Sequence, residues 1–321
     1  MGEGVGEFSA RLGAGATCLF VLLGGCGSQD ELTLGVVAQG YPKGELSYGV
    51  HCTSPSDTPP NGYQARDGAS CTGDSGWRPA LWDMDLVCQN FVNQAQNIAT
   101  YKFWKNLHGK RDWWEGPHDQ DTNGLDTVDM FFAGTHGIGT PYLGDATDLS
   151  GCPHMDFPTD TNVRWSMWDV DKWARGSKMG LGNEPSPGPG LSVFVTYACD
   201  TAKWDGKTWG RWYHVFDGLR MALGHAGNLY MCGDNCPDQA YHGAAFVNYL
   251  ANQYPIMWAW LLAYDNASND GRTFLPSVIS VGTDRPDCLD RLSMTWQNFK
   301  DYSRLPRESV EYMCGAWWEV D

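Results

Sequence analysis

Positive charge is scarce in this chain. Lys and Arg number 22 against 38 Asp and Glu, a formal net charge of −16. Gripping a phosphate backbone takes clustered Lys and Arg, so nucleic acid is not an expected partner. Long apolar runs are missing too: residues 14–23 form a short apolar stretch, well below the roughly 20 residues that a membrane-spanning helix needs. No Gly-x-Ser-x-Gly elbow occurs, which disfavours a Ser/His/Asp hydrolase. Neither an internal repeat nor a heptad run is present, so a solenoid or a coiled coil is not expected. What the chain does have is bulk: 321 residues, 42% of them apolar, suffice for one large domain or two small ones with a real core. Sixteen Trp fit either a carbohydrate-stacking surface or aromatic packing in core and edges, and the second reading is the simpler.

The start of the chain reads as an export signal rather than as folded structure. The apolar stretch runs into Leu23-Gly24-Gly25-Cys26, which resembles the bacterial lipoprotein signal; the resemblance implies a signal peptide over residues 1–26, with Cys26 as the lipidated N-terminus after cleavage. The n-region departs from that pattern, since Arg11 is its only basic side chain, beside Glu3 and Glu7. An ordinary cleaved signal or a buried N-terminal helix is the competing reading. The expected location is the cell envelope, as an outer-membrane or surface lipoprotein, or outside the cell, with membrane contact through the N-terminal lipid only.

Export changes what the cysteines do. Eleven Cys, less Cys18 and Cys26, leave nine, and an oxidising compartment pairs thiols. Four bridges are expected, with one thiol left over, and Cys199 is expected to be that thiol. Proximity in sequence suggests Cys52–Cys71, Cys232–Cys236 and Cys288–Cys314, with Cys88–Cys152 by elimination. Cys232 and Cys236 with His242 also have a loose zinc-like spacing, but a disulfide suits the compartment better.

Periodicity supplies the elements. Residues 32–38 suggest a first strand, and the Pro/Gly/Ser/Asp-rich residues 52–78 an irregular loop. Apolar residues at helical spacing over 84–107 predict one long amphipathic helix. Buried strands are expected at 128–133, 191–197 and 277–281, a short one at 228–231, and helices at 165–173, 215–223, 243–252 and 257–267. The aromatic-rich residues 141–190 read as a long, mostly irregular insertion, and 285–321 as a mixed tail. Strands alternating with helices predict an α/β fold with a mostly parallel central sheet.

Between these elements lies His118-Asp119-Gln120-Asp121-Thr122-Asn123-Gly124, followed by Asp126. Asp119, Asp121 and Asn123 at alternate positions before a glycine match the first half of a calcium loop, with Asp126 or Asp129 to substitute for its closing carboxylate. The closing glutamate is absent, Met130 standing in the twelfth position. Calcium and a plain solvated turn therefore both fit.

Two strand ends carry reactive groups. The strand 128–133 runs into Gly134-Thr135-His136-Gly137, and the strand 191–197 into Ala198-Cys199-Asp200. If the strands are parallel neighbours, both groups emerge on one sheet edge, where open α/β sheets bind ligands. A thiol gains nucleophilicity as thiolate, and a neighbouring imidazole can manage its proton near neutrality. The backbone N–H groups of Gly137 and Cys199 could then form an oxyanion hole.

An apolar strand ending in His-Gly followed by one ending in Ala-Cys resembles the caspase-like (clan CD) cysteine peptidases, among them caspases, gingipains, clostripain, legumain and separase. Residues 218–227 resemble the turn after the nucleophile in the bacterial branch, and residues 246–250 with 258–267 the helix pair that follows. The resemblance covers roughly residues 128–267. It implies a caspase-like αβα sandwich over 121–321 with the Trp-rich insertion at 141–190, His136 as acid/base, Cys199 as nucleophile and a peptide or protein as substrate. Residues 27–120 are expected to form an N-terminal extension packed on that domain. Asp145, Asp148, Asp200 and Asp205 would suit a basic residue beside the scissile bond, although nothing marks a specificity pocket. No cofactor beyond the possible calcium is required. The competing function is a non-catalytic cell-surface module on the same fold, binding carbohydrate or protein through the insertion.

Overall fold

Runs such as Val193-Phe194-Val195-Thr196-Tyr197 are apolar at nearly every position, so they need cover on both sides. In the computed structural model they form the middle of a sheet that is buried on both faces. The structure describes residues 46–52, 63–64, 66–67, 77–78, 84–105, 128–134, 136–138, 154–156, 163–166, 182, 190–199, 201–204, 208–213, 215–227, 229, 241–264 and 275–318.

The elements follow in chain order. Strand β1 (Ser47–Cys52), the two-residue strands β2 (Tyr63–Gln64), β3 (Arg66–Asp67) and β4 (Trp77–Arg78), helix α1 (Met84–Ala95) and β5 (Thr100–Lys105) come first. Next are β6 (Met130–Gly134), β7 (His136–Ile138), β8 (His154–Asp156), β9 (Val163–Ser166) and β10 (Val193–Tyr197). Helix α2 (Thr208–Trp212), β11 (Met221–His225), α3 (His242–Ala251), α4 (Ile256–Leu262), β12 (Pro276–Gly282), α5 (Arg285–Arg291) and β13 (Tyr312–Trp317) complete the chain.

Seven strands make the main sheet, in the order β13-β12-β11-β10-β6-β1-β5. Every pairing from β5 to β11 is parallel, and β12 and β13 join by antiparallel pairings. The fold is therefore mixed α/β with a mostly parallel sheet. A four-stranded sheet, β3-β9-β8-β7, and the pair β2-β4 stand apart from it.

Alternation within each strand sorts the core into two layers. Met130, Phe132, Val193, Val195, Met221 and Leu223 pack on one face with α1, α3 and α4. Phe131, Ala133, Phe194 and Ala222 pack on the other with Trp212 of α2 and with Val215, Phe216 and Leu219. Phe91 of α1 stacks on Phe132 with ring centroids 4.4 Å apart. Burying a side chain of this size contributes about 1.5–3 kcal/mol, so these layers dominate the stability.

The amino-terminal edge is held by charge. The Arg304 guanidinium donates to the carbonyls of Gly182, Gly190, Leu191 and Gly218 and to the Ser192 hydroxyl. It thereby fixes the chain on its way into β10. At Gly190, where φ is +67°, a Cβ would press on that guanidinium at 2.8 Å, so the glycine is needed for the close approach as well as the backbone angle. Asp129 accepts from Ser47 N–H and Oγ and lies 3.4 Å from Lys300 Nζ, tying the starts of β1 and β6 together.

Several expectations are corrected. The helix expected over 84–107 is α1 followed by β5: hydrogen bonds from Asn97 N to Gln94 O and Ile98 N to Ala95 O tighten the last turn, and Thr100 N then docks on Leu46 O. The helix expected over 215–223 is a turn followed by β11. Gly218 at φ +105° breaks the backbone, and Val215, Phe216 and Leu219 face one core layer while Leu223 faces the other. Trp165 belongs to strand β9 rather than to a helix. Leu229, expected in a strand, is in none. By contrast α3, α4 and β12 lie where periodicity put them, although α4 ends at Leu262. The tail holds α5 and the edge strand β13; Asp284 caps α5 by accepting from Asp287 N at 2.8 Å, with Pro286 in the first turn. Within residues 27–120, β1 and β5 belong to the main sheet and α1 packs on its face. Residues 32–38 lie outside the described residues.

Cys288–Cys314 is a disulfide, as expected, and joins α5 to β13. Cys88 is disulfide-bonded too. Cys71, Cys152, Cys232 and Cys236 lie outside the described residues. No helix among the described residues is long and apolar enough to cross a membrane.

Candidate functional site

Counted along the chain, the main-sheet strands lie in the order 2-1-3-4-5-6-7. The order reverses between β1 and β6, and ligands of open α/β sheets bind outside the carboxyl ends of the strands at such a reversal. Register then fixes what emerges there. Gly134, the last residue of β6, pairs with Cys52 on one side and Tyr197, the last residue of β10, on the other. His136 and Cys199 each stand two residues beyond that row. Paired strands run about 4.8 Å apart, so the two chains leave the sheet side by side. At residue 136 the chain enters β7 of the smaller sheet, where His136, Gly137 and Ile138 pair with Asp156, Met155 and His154 of β8.

Cys199 is half-buried and carries its thiol outside any disulfide. The Leu229 N–H donates to Sγ at 3.1 Å, and the thiol donates to Leu229 O at 3.4 Å. The N–H contact favours negative charge on the sulfur and the carbonyl contact favours the protonated thiol, so the two oppose each other. The turn that carries the cysteine is bonded on all sides: Thr201 Oγ1 donates to Ala198 O at 3.2 Å, Ala202 N to His225 O at 2.9 Å, and Ser277 Oγ to Ala202 O at 2.7 Å. These bonds fasten residues 198, 201 and 202, on either side of the thiol, to β11 and β12.

Sequence reasoning overlooked the aromatic and imidazole cluster beneath this turn. His225 ends β11 and lies 2.7 Å through Nε2 from the Tyr264 hydroxyl; His242 of α3 lies 3.1 Å through Nδ1 from the Tyr197 hydroxyl. All four rings touch, the closest pair being His242 and Tyr264 at 4.2 Å. Burial lowers the His225 pKa to about 3, with His242 adding to the effect and the backbone of Ala198 and Thr196 opposing it. Burial alone lowers His242 to about 3. Burial raises Tyr264 well above its usual value, with help from Tyr197. Both imidazoles are therefore neutral at working pH and neither can serve as an acid near neutrality, although His225 flanks β10 as closely as the chain of His136 does. A histidine at a strand end was the signal available for His225 as it was for His136. His242, weighed as a zinc ligand, is occupied in this cluster.

Among the described residues no group of three His, Cys, Asp or Glu could hold a metal ion. Asp119, Asp121, Asn123 and Asp126 lie outside the described residues, as do Cys26, Asp145, Asp148, Asp200 and Asp205. An apolar cavity of about 310 Å³ opens beside the edge strand β13, lined by Met257, Trp258, Leu289, Leu292, Trp317 and Trp318 among others; among the described residues its one hydroxyl side chain is Ser293, which donates to Asp290 O, and no His, Cys, Asp or Glu lines it.

No curated protein matches the chain. A family model described as a domain of unknown function, DUF6345, matches residues 80–282, well over half the chain. The matched span runs from before α1 to the end of β12 and includes both His136 and Cys199; the chain belongs to the DUF6345 family.

Proposed function

We propose that the protein is a cysteine endopeptidase of caspase-like αβα architecture, with Cys199 as nucleophile and His136 as its acid/base partner. The observation that carries the reading is the pairing of Gly134 with Tyr197, which sets positions 136 and 199 two residues beyond the ends of adjacent parallel strands. Core layers on both sides of a mostly parallel sheet suit that architecture.

In this reading the Cys199 sulfur attacks the carbonyl carbon of a peptide bond, and His136 carries the thiol proton to the departing amine. The N–H groups of Gly137 and Cys199 receive the negative oxygen of the tetrahedral intermediate. Water then hydrolyses the thioester, and its proton returns through His136. A thiol kept out of disulfides, in a chain that forms Cys288–Cys314 and bonds Cys88, fits a reserved reactive group. Those same disulfides fit an exported protein, which we take to be anchored through a lipid on Cys26.

Treating the native, unreduced chain with an iodoacetamide probe and mapping the adduct tests the nucleophile. Labelling at Cys199 is expected. Finding Cys199 bridged to another cysteine in the purified protein would sink the reading.

A further inference from the structure

We propose that His225 is a positioning residue for Cys199: its ring, seated among Tyr197, Trp260 and Tyr264 beneath the 198–202 turn, sets the angle at which that turn presents the thiol. The inference deepens the peptidase reading and rests on it for its catalytic meaning, but the contacts stand by themselves.

The His225 ring is fully buried and lies 5.6 Å from the ring of Tyr197, 5.5 Å from Trp260 and 5.1 Å from Tyr264. Its strand end is clamped through the backbone as well, since Trp260 Nε1 donates to Gly224 O at 3.0 Å and His225 O accepts from Ala202 N at 2.9 Å. Nδ1 faces the backbone of Thr196 and Ala198 without an aligned hydrogen bond to any described residue. A buried polar atom left in that state costs stability, and an apolar ring would fill the same space without the cost. Tyr264 keeps its phenolic proton at every working pH. In the tautomer where Tyr264 donates that proton to Nε2, the ring proton of His225 lies on Nδ1, facing the peptide that precedes the nucleophile. A neutral ring fixed there limits by contact how far the Ala198-Cys199 peptide can rotate, and it adds no charge to compete for the thiol proton.

The test is the rate of Cys199 alkylation by iodoacetamide across pH, measured on the full chain without reductant. Wild type is compared with His225→Phe, which keeps a ring, and Tyr264→Phe, which removes one hydroxyl. Trp258→Ala, exposed on α4, is the control. Misplacing a reacting group from a distance costs up to about a hundredfold, so both cluster variants are expected to slow alkylation at neutral pH by about ten- to a hundredfold and to shift the midpoint of its pH profile. The control should do neither. A purely structural role would lower the denaturation midpoint and leave the alkylation profile in place; that result, or rates unchanged from wild type in both variants, overturns the proposal. If His225→Phe does not fold, Tyr264→Phe decides. Should alkylation respond as expected while Cys199→Ala leaves peptide cleavage intact, the peptidase reading falls and the positioning role stands.

Discussion

The hydroxyls of Thr196 and Thr201 lie 2.7 Å apart, one on the last turn-side residue pair of β10 and the other on the turn that carries Cys199. Thr196 also donates to Leu223 O at 2.9 Å, so this contact fastens the cysteine turn to both β10 and β11. The space exists because residue 224 has no side chain: a Cβ there would sit 2.5 Å from each hydroxyl and 3.0 Å from the Ala202 methyl. Gly224→Ala is therefore expected to lower stability by about 1–3 kcal/mol through overpacking and to slow Cys199 labelling. Urea denaturation and adduct mapping read the two effects separately. Unchanged values in both would show that the turn does not depend on this packing.

The buried histidines make the fold sensitive to acid. In the unfolded chain each imidazole takes up a proton as pH falls below about 6.5, whereas in the folded protein His225 and His242 do so only near about 3. Between those values the unfolded state holds more protons, so stability rises with pH through this window and levels off above it. Tyr197 and Tyr264, which face the imidazoles from β10 and from the end of α4, carry no charge to offset the effect. Urea midpoints are expected to fall steadily as the buffer is taken from neutral to about pH 4, and His242→Phe should make that fall shallower. An equally steep fall in the variant would place the acid sensitivity elsewhere.

Arg304 is expected to be hard to replace. Five of its contacts go to neutral oxygens around the entrance to β10. Hydrogen bonds to a charged group contribute about 1.5–3 kcal/mol each before non-additivity, so Arg304→Met should cost at least about 3 kcal/mol in a denaturant titration. Arg304→Lys should recover little, because a single ammonium cannot span carbonyls that a planar fork reaches together. Full recovery by lysine would reduce the contact to simple charge.

How much of this was legible in the sequence depended on whether one residue's surroundings reveal its neighbours. β6, β10 and β12 were readable because strands covered on both faces must be apolar along their length. β1 was missed because Ser47-Tyr-Gly-Val-His-Cys breaks that pattern with a buried serine and a glycine. The helix expected at 215–223 failed because residues with helical spacing supply opposite sides of the sheet, which spacing alone cannot distinguish. For the site, both strand-end residues were visible, yet their adjacency depends on register between strands far apart in the chain. The His225 cluster was hidden for the same reason, since its four rings come from β10, β11, α3 and the residue pair after α4.

The most direct test of the central claim is cleavage of a peptide library by the full chain and by Cys199→Ala and His136→Ala. Acid/base and nucleophilic partners each contribute large factors, roughly 10²–10⁴ for proton transfer alone. Both variants are therefore expected to lose cleavage by at least about a hundredfold while unfolding as cooperatively as wild type. Wild-type cleavage by either variant would contradict the account.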